Sequence, residues 1–465
     1  MVRSSALAAA FVLALGALSA QDGLREVALV VTGGTVVTMN AAGRIVENGA
    51  LALDGTDIVA VDTVAAIRRQ FRGRETIDAS GQIILPGLIN THTHAPMVLY
   101  RGLADDLPLM EWLNDYIFPA EAKTVSPAFV RAGTRLAVLE MIESGTTTFA
   151  DMYYFEEEVA NEARDAGLRG VLGQTIIQFP VADAKTPADG LARADAFITA
   201  FKNDSLITPA VAPHAMYTLD GPTLKAAREL AKRHSVPTLI HLAETRDERP
   251  VAEQRLAASP VAYLESLGFL GPGVLAAHAV WVSAADIAVL KNRSVGVSHN
   301  PESNMKLASG TAPVPAYLRA GIAVGLGTDG AASNNDLDMF EAMRVAALLH
   351  KHEAADPAAL TARAVLEMAT RGGARALGMD ARIGSLEARK RADIITVSTS
   401  SARMTPMYDP ISHLVYVARG GDVQNSIVNG RVLMWNREVL TMKESSVIAD
   451  ARAWAEKVRA AVKGR

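Results

Sequence analysis

Short apolar runs recur through the middle of the chain, and amphipathic stretches fill the intervals between them. The runs are QIILPGLINTH, GTTTFADM, RGVLGQTII, LITPAVAPH, PTLIHLAE, GVLAAHAV, SVGVSHN and AVGLGTDG. Stretches such as PTLKAARELAKRH and DMFEAMRVAALLHKH place apolar residues at helical spacing. Strands alternating with helices predict a parallel α/β fold, and eight such strands predict a closed (β/α)8 TIM barrel. The ends differ. Residues 27–84 and the segments ADIITVS, HLVYVARG and VQNSIVNGRVLMW read as short strands joined by Gly, Asn and Asp turns. A barrel inserted into a small composite β-sandwich accounts for this pattern. The expected division is 21–84 for the first part of the sandwich, 85–380 for the barrel, and 381–465 for the rest of the sandwich and a closing helix. Residues 179–204 begin as a loop and end as a helix, and the loop part is expected to overhang the barrel mouth.

Composition changes this picture in three places. With 465 residues and 49% apolar content, the chain exceeds the roughly 250 residues that one barrel takes, leaving room for the second module. A net charge of -4 from 46 basic and 50 acidic residues offers no basic surplus for a nucleic-acid partner. The absence of cysteine excludes disulfides, thiolate ligands and a cysteine nucleophile. At the N-terminus, Arg3, the apolar run 6–18 and small residues near Ala20 follow the pattern of a cleavable signal over residues 1–20. The expectation is export to the periplasm, or a cytoplasmic location if the signal is not used. No later segment has the length and apolarity of a membrane span.

Candidate chemistry collects at the C-terminal ends of the runs, where such barrels place their active sites. His92 and His94 stand two apart, so on a strand both imidazoles face one side. His241 ends the fifth run, His278 the sixth, and Asp329 follows the eighth. His92, His94, His241 and Asp329 form a nitrogen and oxygen shell for one divalent metal, zinc foremost, with iron, manganese or nickel also accommodated. Glu244, three residues past His241, is placed to act as general base on a metal-held water and then as acid to the leaving group. The blander reading is a loop carboxylate pairing with Arg246. His278 is expected to polarise the group under attack, together with Asp329. His214 reads as a substrate contact, and His299 as a further candidate. Trp112 offers a surface for a flat heterocycle, against the alternative of a core tryptophan. His234, His350, His352 and His413 read as surface or structural.

The segments PGLINTHTH, RGLADDLPLMEWL, GTTTFADMY, APHAMYT, HLAET, AAHAV, SHNPESNMKLASG and GTDGAASNN occur in this order. Together they resemble the mononuclear aminohydrolases of the amidohydrolase superfamily, and within it the 5-methylthioadenosine/S-adenosylhomocysteine deaminases. The resemblance runs from about Val27 to Met442. It implies one metal per subunit on His92, His94, His241 and Asp329, a proton shuttle at Glu244 assisted by His278 and Asp329, and substrate contacts from Trp112, Glu121 and His214. Glu121 is implied at the ribose hydroxyls, Glu244 and Asp329 at the reacting ring. It also implies a homo-oligomer, dimer or tetramer. Substrate-binding arginines of the family have no clear counterpart, Arg193 being the one on offer near the third and fourth strands. LITPAVAPH lacks the lysine that binuclear branches carboxylate, which favours one metal.

The expected activity is hydrolytic deamination of adenosine-type substrates to inosine-type products and ammonia. Rivals are the same machinery on another ring (a triazine chlorohydrolase, a guanine or cytosine deaminase), an exported cyclic-amide hydrolase, and a non-catalytic binding protein on the same fold.

Overall fold

The computed structural model describes residues 23–462. Its centre is a closed barrel of eight parallel strands: β1 (Leu88–Thr93), β2 (Thr146–Tyr153), β3 (Arg169–Ile176), β4 (Ile207–Pro213), β5 (Thr238–Leu242), β6 (Val274–His278), β7 (Gly296–His299) and β8 (Val324–Leu326). The barrel closes where Leu326 of β8 pairs with Asn90 of β1. Nearly every strand residue is buried, because side chains fill the interior while helices cover the outside. This is why the strands read as continuous apolar runs rather than alternating ones. The helices Gly221–His234 and Met339–Ala354 follow the expected amphipathic stretches. Both begin on an aspartate, Asp220 and Asp338, whose carboxylate accepts an N-terminal backbone N–H.

Strands from both ends form one nine-stranded sheet. Gln82–Pro86 from the N-terminal part pairs antiparallel with Ile394–Ser398 from the C-terminal part, so the seam joins the two ends of the chain. The run expected as the first barrel strand is therefore divided. Gln82–Pro86 stays in the terminal sheet, and Leu88–Thr93 enters the barrel. Gly87 makes the crossing. A Cβ there would sit 2.1 Å from the Thr147 side chain, so only glycine passes so close to β2.

Two further differences have local causes. The first half of HLVYVARG, expected as a strand, lies in a helix, Pro410–Tyr416. Asp409 caps it and Pro410 opens it, a start signal that outweighs the β-branched and aromatic residues that follow. The closing helix spans Glu444–Val462 and packs on the barrel-side helix Pro127–Glu143, where Trp454 meets Phe129 edge-on at 5.5 Å. The expected signal, residues 1–20, lies outside the described residues. Among the described residues no helix is long and apolar enough to cross a membrane.

Candidate metal centre and active site

Four imidazoles and two carboxylates meet at the C-terminal mouth of the barrel. His94 Nε2 lies 3.3 Å from both His241 Nε2 and Asp329 Oδ1, and His92 Nε2 lies 3.4 Å from Asp329 Oδ1. His278 Nε2 stands 3.8 Å from Glu244 Oε2 and 3.9 Å from Asp329 Oδ2. Every one of these groups except His94 is buried. The strand ends explain the convergence. His92 and His94 share a side of β1 and its extension, while β5, β6 and β8 deliver the others at the same height. The backbone N–H of Asp329 donates to the His92 carbonyl at 2.9 Å, fixing β8 to β1 at this level.

Three of the rings are held by the far nitrogen. His94 Nδ1 donates to the Met152 carbonyl at 2.7 Å, His241 Nδ1 to the His214 carbonyl at 2.9 Å, and His278 Nδ1 to Asn304 Oδ1 at 2.8 Å. Carbonyl and amide oxygens can only accept, so they fix the Nδ1–H tautomer and leave each Nε2 lone pair facing the centre. His92 Nε2 is buried with no hydrogen-bond partner. A buried orphan nitrogen, surrounded by two further Nε2 lone pairs and a carboxylate, is what a divalent ion requires, so the residues fit the metal.

The electrostatics agree with this. Burial draws His92 down to about 4 and holds His241 well below the usual histidine value, so both rings are neutral. Burial alone would push the Asp329 carboxyl up, yet the neighbouring imidazoles, His92 first, bring it well below the ordinary range. Its Oδ2 also accepts from Ser303 Oγ at 2.7 Å, and its Oδ1 from the Gly330 N–H at 2.7 Å. Burial, and then the Asp329 charge, push Glu244 well above the usual glutamate value. The Glu244 backbone is braced by Glu248, whose carboxylate accepts the Glu244 N–H at 2.6 Å and the Ala243 N–H at 2.9 Å. His278 and Asp329 adopt left-handed backbone angles, φ +70° and +64°, uncommon for residues with a Cβ and frequent at functional sites.

The centre opens into a cavity lined in part by Trp112, Glu121 and His214. Trp112 begins a short π-helical turn, Trp112–Ile117, and its buried indole N–H has no partner. Glu121 is buried, accepts from Tyr153 Oη at 2.7 Å, and is pushed up to about 7 by burial. Burial brings His214 down to about 3, a neutral ring. Tyr153, Tyr154, Thr175 and Tyr217 also line the cavity and were not anticipated. Nor were the bracing groups Ser303, Asn304 and Glu248. The SHNPESN segment carried a signal for two of them, since it places small polar side chains directly past β7.

His299 does not belong with this group. Ser298 and Asn300 face inward, Ser298 meeting Thr91 Oγ1 at 2.6 Å and Asn300 approaching His278. His299, one position out of phase, turns to the helix behind, its Nε2 3.1 Å from Nε2 of His350. It is a packing residue between strand and helix, not a substrate contact. Arg193 is likewise engaged elsewhere, with Glu157 at 2.5 Å and Asp183 at 3.2 Å.

The amidohydrolase family model matches residues 83–433. The 5-methylthioadenosine/S-adenosylhomocysteine deaminase of Syntrophobacter fumaroxidans is 48% identical over 431 residues, covering 93% of this chain and 98% of its own. The 5′-deoxyadenosine deaminase of Methanosarcina acetivorans is 44% identical over 432 residues, covering 92% and 98%. Among solved structures, a zinc-bound adenosine deaminase from Xanthomonas campestris superposes with a TM-score of 0.92 at 38% identity, covering 94% of this chain and all of its own. The two relatives correct the expectation of export. Both are named as deaminases, and the matches take in 98% of each relative but 93% and 92% of this chain. That expectation rested on residues 1–20 alone and is not carried further.

Proposed function

The chain belongs to the amidohydrolase family, and from that premise we infer that it is a hydrolytic deaminase of adenosine-type nucleosides, releasing ammonia and an inosine-type product. The observation that carries the reading is the junction of His92, His94, His241 and Asp329 with Glu244 and His278 inside one cavity, in a chain whose relatives are named for this reaction. The metal is divalent, and we assign it as zinc, bound by His92, His94, His241 and Asp329. When bound, it supplies Lewis-acid activation of water and stabilises developing negative charge.

The remaining chemistry falls to side chains. Water adds to the amino-bearing ring carbon. Glu244 accepts the water proton and hands it to the adjacent ring nitrogen. Its raised affinity for a proton suits it to hold that proton between the two transfers. His278, oriented by Asn304, and Asp329, oriented by Ser303, flank the carbon under attack and steady the new hydroxyl by hydrogen bonds. The proton of the new hydroxyl then passes to the amino group, the carbon–nitrogen bond breaks as the ring carbonyl forms, and ammonia leaves. Glu121 is assigned to the ribose hydroxyls, with Trp112 and His214 bounding the nucleoside.

Glu244→Gln tests the assignment. It keeps the shape, the fold and the metal content but removes the shuttle, and is expected to lower kcat by about 10²–10⁴. Ammonia release from adenosine, 5-methylthioadenosine and S-adenosylhomocysteine is the measurement. Near-wild-type turnover in the variant would remove Glu244 from the mechanism. Chloride release from a chlorotriazine, with no ammonia from the three nucleosides, would replace the substrate assignment while keeping the metal chemistry.

A further inference from the structure

We infer that this site discriminates among 5′-substituted adenosines by charge, preferring an uncharged 5′ group to the zwitterionic tail of S-adenosylhomocysteine. The inference rests on the deaminase reading above and narrows its substrate class.

Among the described residues, those lining the cavity include three carboxyl groups, Glu121, Glu244 and Asp329, and no lysine or arginine. Beyond the imidazole cluster the walls are largely apolar, formed by residues such as Leu109, Leu113, Ile117, Phe118 and Leu307. A carboxylate entering such a space loses its water and finds no cation there, only neutral groups such as the Tyr and Thr hydroxyls and the Trp112 indole N–H, and like charge.

The cations around the rim lie outside the cavity, and Lys306 and Arg193 are paired with carboxylates. Lys306, next to Leu307 of the wall, pairs with Asp105 and donates to the Ala332 carbonyl at 3.3 Å. Arg255 lies in the groove that shares Leu113, Phe118 and Tyr217 with the cavity. It donates to the Leu219 carbonyl at 3.0 Å and lies over the Tyr263 ring at 5.0 Å. Arg193 is bound by Glu157 and Asp183. Arg246 lies in a second groove beyond Leu109 and Leu307, its guanidinium stacked over Trp281 at 4.1 Å. A tail carboxylate would have to reach beyond the cavity or draw one of these groups inward to find a counter-charge. A methyl, methylthio or longer alkylthio group meets apolar wall at no such penalty.

Comparing a charged tail with an uncharged one of similar length separates charge from bulk. With the zinc-loaded full chain, kcat/KM would be measured for 5′-deoxyadenosine, 5-methylthioadenosine, 5′-butylthioadenosine and S-adenosylhomocysteine. S-adenosylhomocysteine is expected at least about tenfold below the butylthio compound, because its buried charge finds no partner. A smaller ratio, including equally poor turnover of both long substrates, overturns the inference and leaves the deaminase reading standing. Silence on all four nucleosides overturns both.

Discussion

Asn304 shows how far catalysis here depends on side chains that touch no substrate. Its amide oxygen accepts the Nδ1 proton of His278, and nothing else fixes that ring's tautomer as directly. Asn304→Ala is expected to lower kcat by about ten- to a hundredfold, as loss of such orienting partners commonly does. Activity measured beside the unfolding temperature separates this from a loss of fold. Glu302, two residues away, makes a different prediction. Burial, then the nearby Asp336 and Glu341 charges, raise its carboxyl from the ordinary 4.5 to about 9. Between these values the unfolded chain releases the proton while the folded chain keeps it, so stability falls as pH rises across that window. Glu302→Gln should flatten the fall, and unfolding temperatures of both proteins from pH 5 to 9 would reveal it. An unchanged slope would mean that Glu302 is already ionised in the fold. The histidines at the strand ends do not all face the same way. His299 turns to His350 while His278 stands 3.8 Å from Glu244.

At the level of elements, the junction between barrel and terminal sheet contains a buried ion pair. Arg169, at the start of β3, is held by Asp393 through Nε at 3.0 Å and Nη2 at 3.1 Å, and both side chains are buried. Asp393 Oδ1 also accepts the Asn429 N–H at 2.7 Å, tying in a C-terminal turn. Asp393→Ala leaves a buried guanidinium without its counter-charge, and is expected to cost about 3–5 kcal/mol of stability. Denaturant unfolding is the check, and a loss below 1 kcal/mol would show that water reaches the site. The eight barrel strands were legible because each is a buried apolar run ending in polar residues. The division at Gly87 was not, since apolar residues continue on both sides of it and only tertiary pairing separates two sheets within one run. HLVYVARG misled for a related reason. Its β-like composition is overridden by a capped, proline-opened helix start and by packing of that helix against Ala362–Glu367.

For the whole molecule, the metal is expected to link activity to stability. Four groups from β1, β5 and β8 converge on one point, and without an ion His92 Nε2 has no partner. A chelator should therefore abolish turnover and lower the unfolding temperature, and stoichiometric zinc should restore both. Loss of activity with no thermal shift would mean that the barrel holds these rings in place unaided. Calorimetry of the stripped and reloaded protein distinguishes the two outcomes.

The sequence alone determined the barrel, the terminal module and the identity of the converging groups, because each depends on local pattern: burial of a run, its polar end, and the spacing of His92 and His94. Three-dimensional packing alone decided what those groups do to one another. The tautomers set by Met152, His214 and Asn304, the left-handed backbone at His278 and Asp329, the outward turn of His299 and the absence of a free cation in the cavity all arise from contacts between residues distant in the chain. No local pattern records such contacts, because they exist only once the strands have closed.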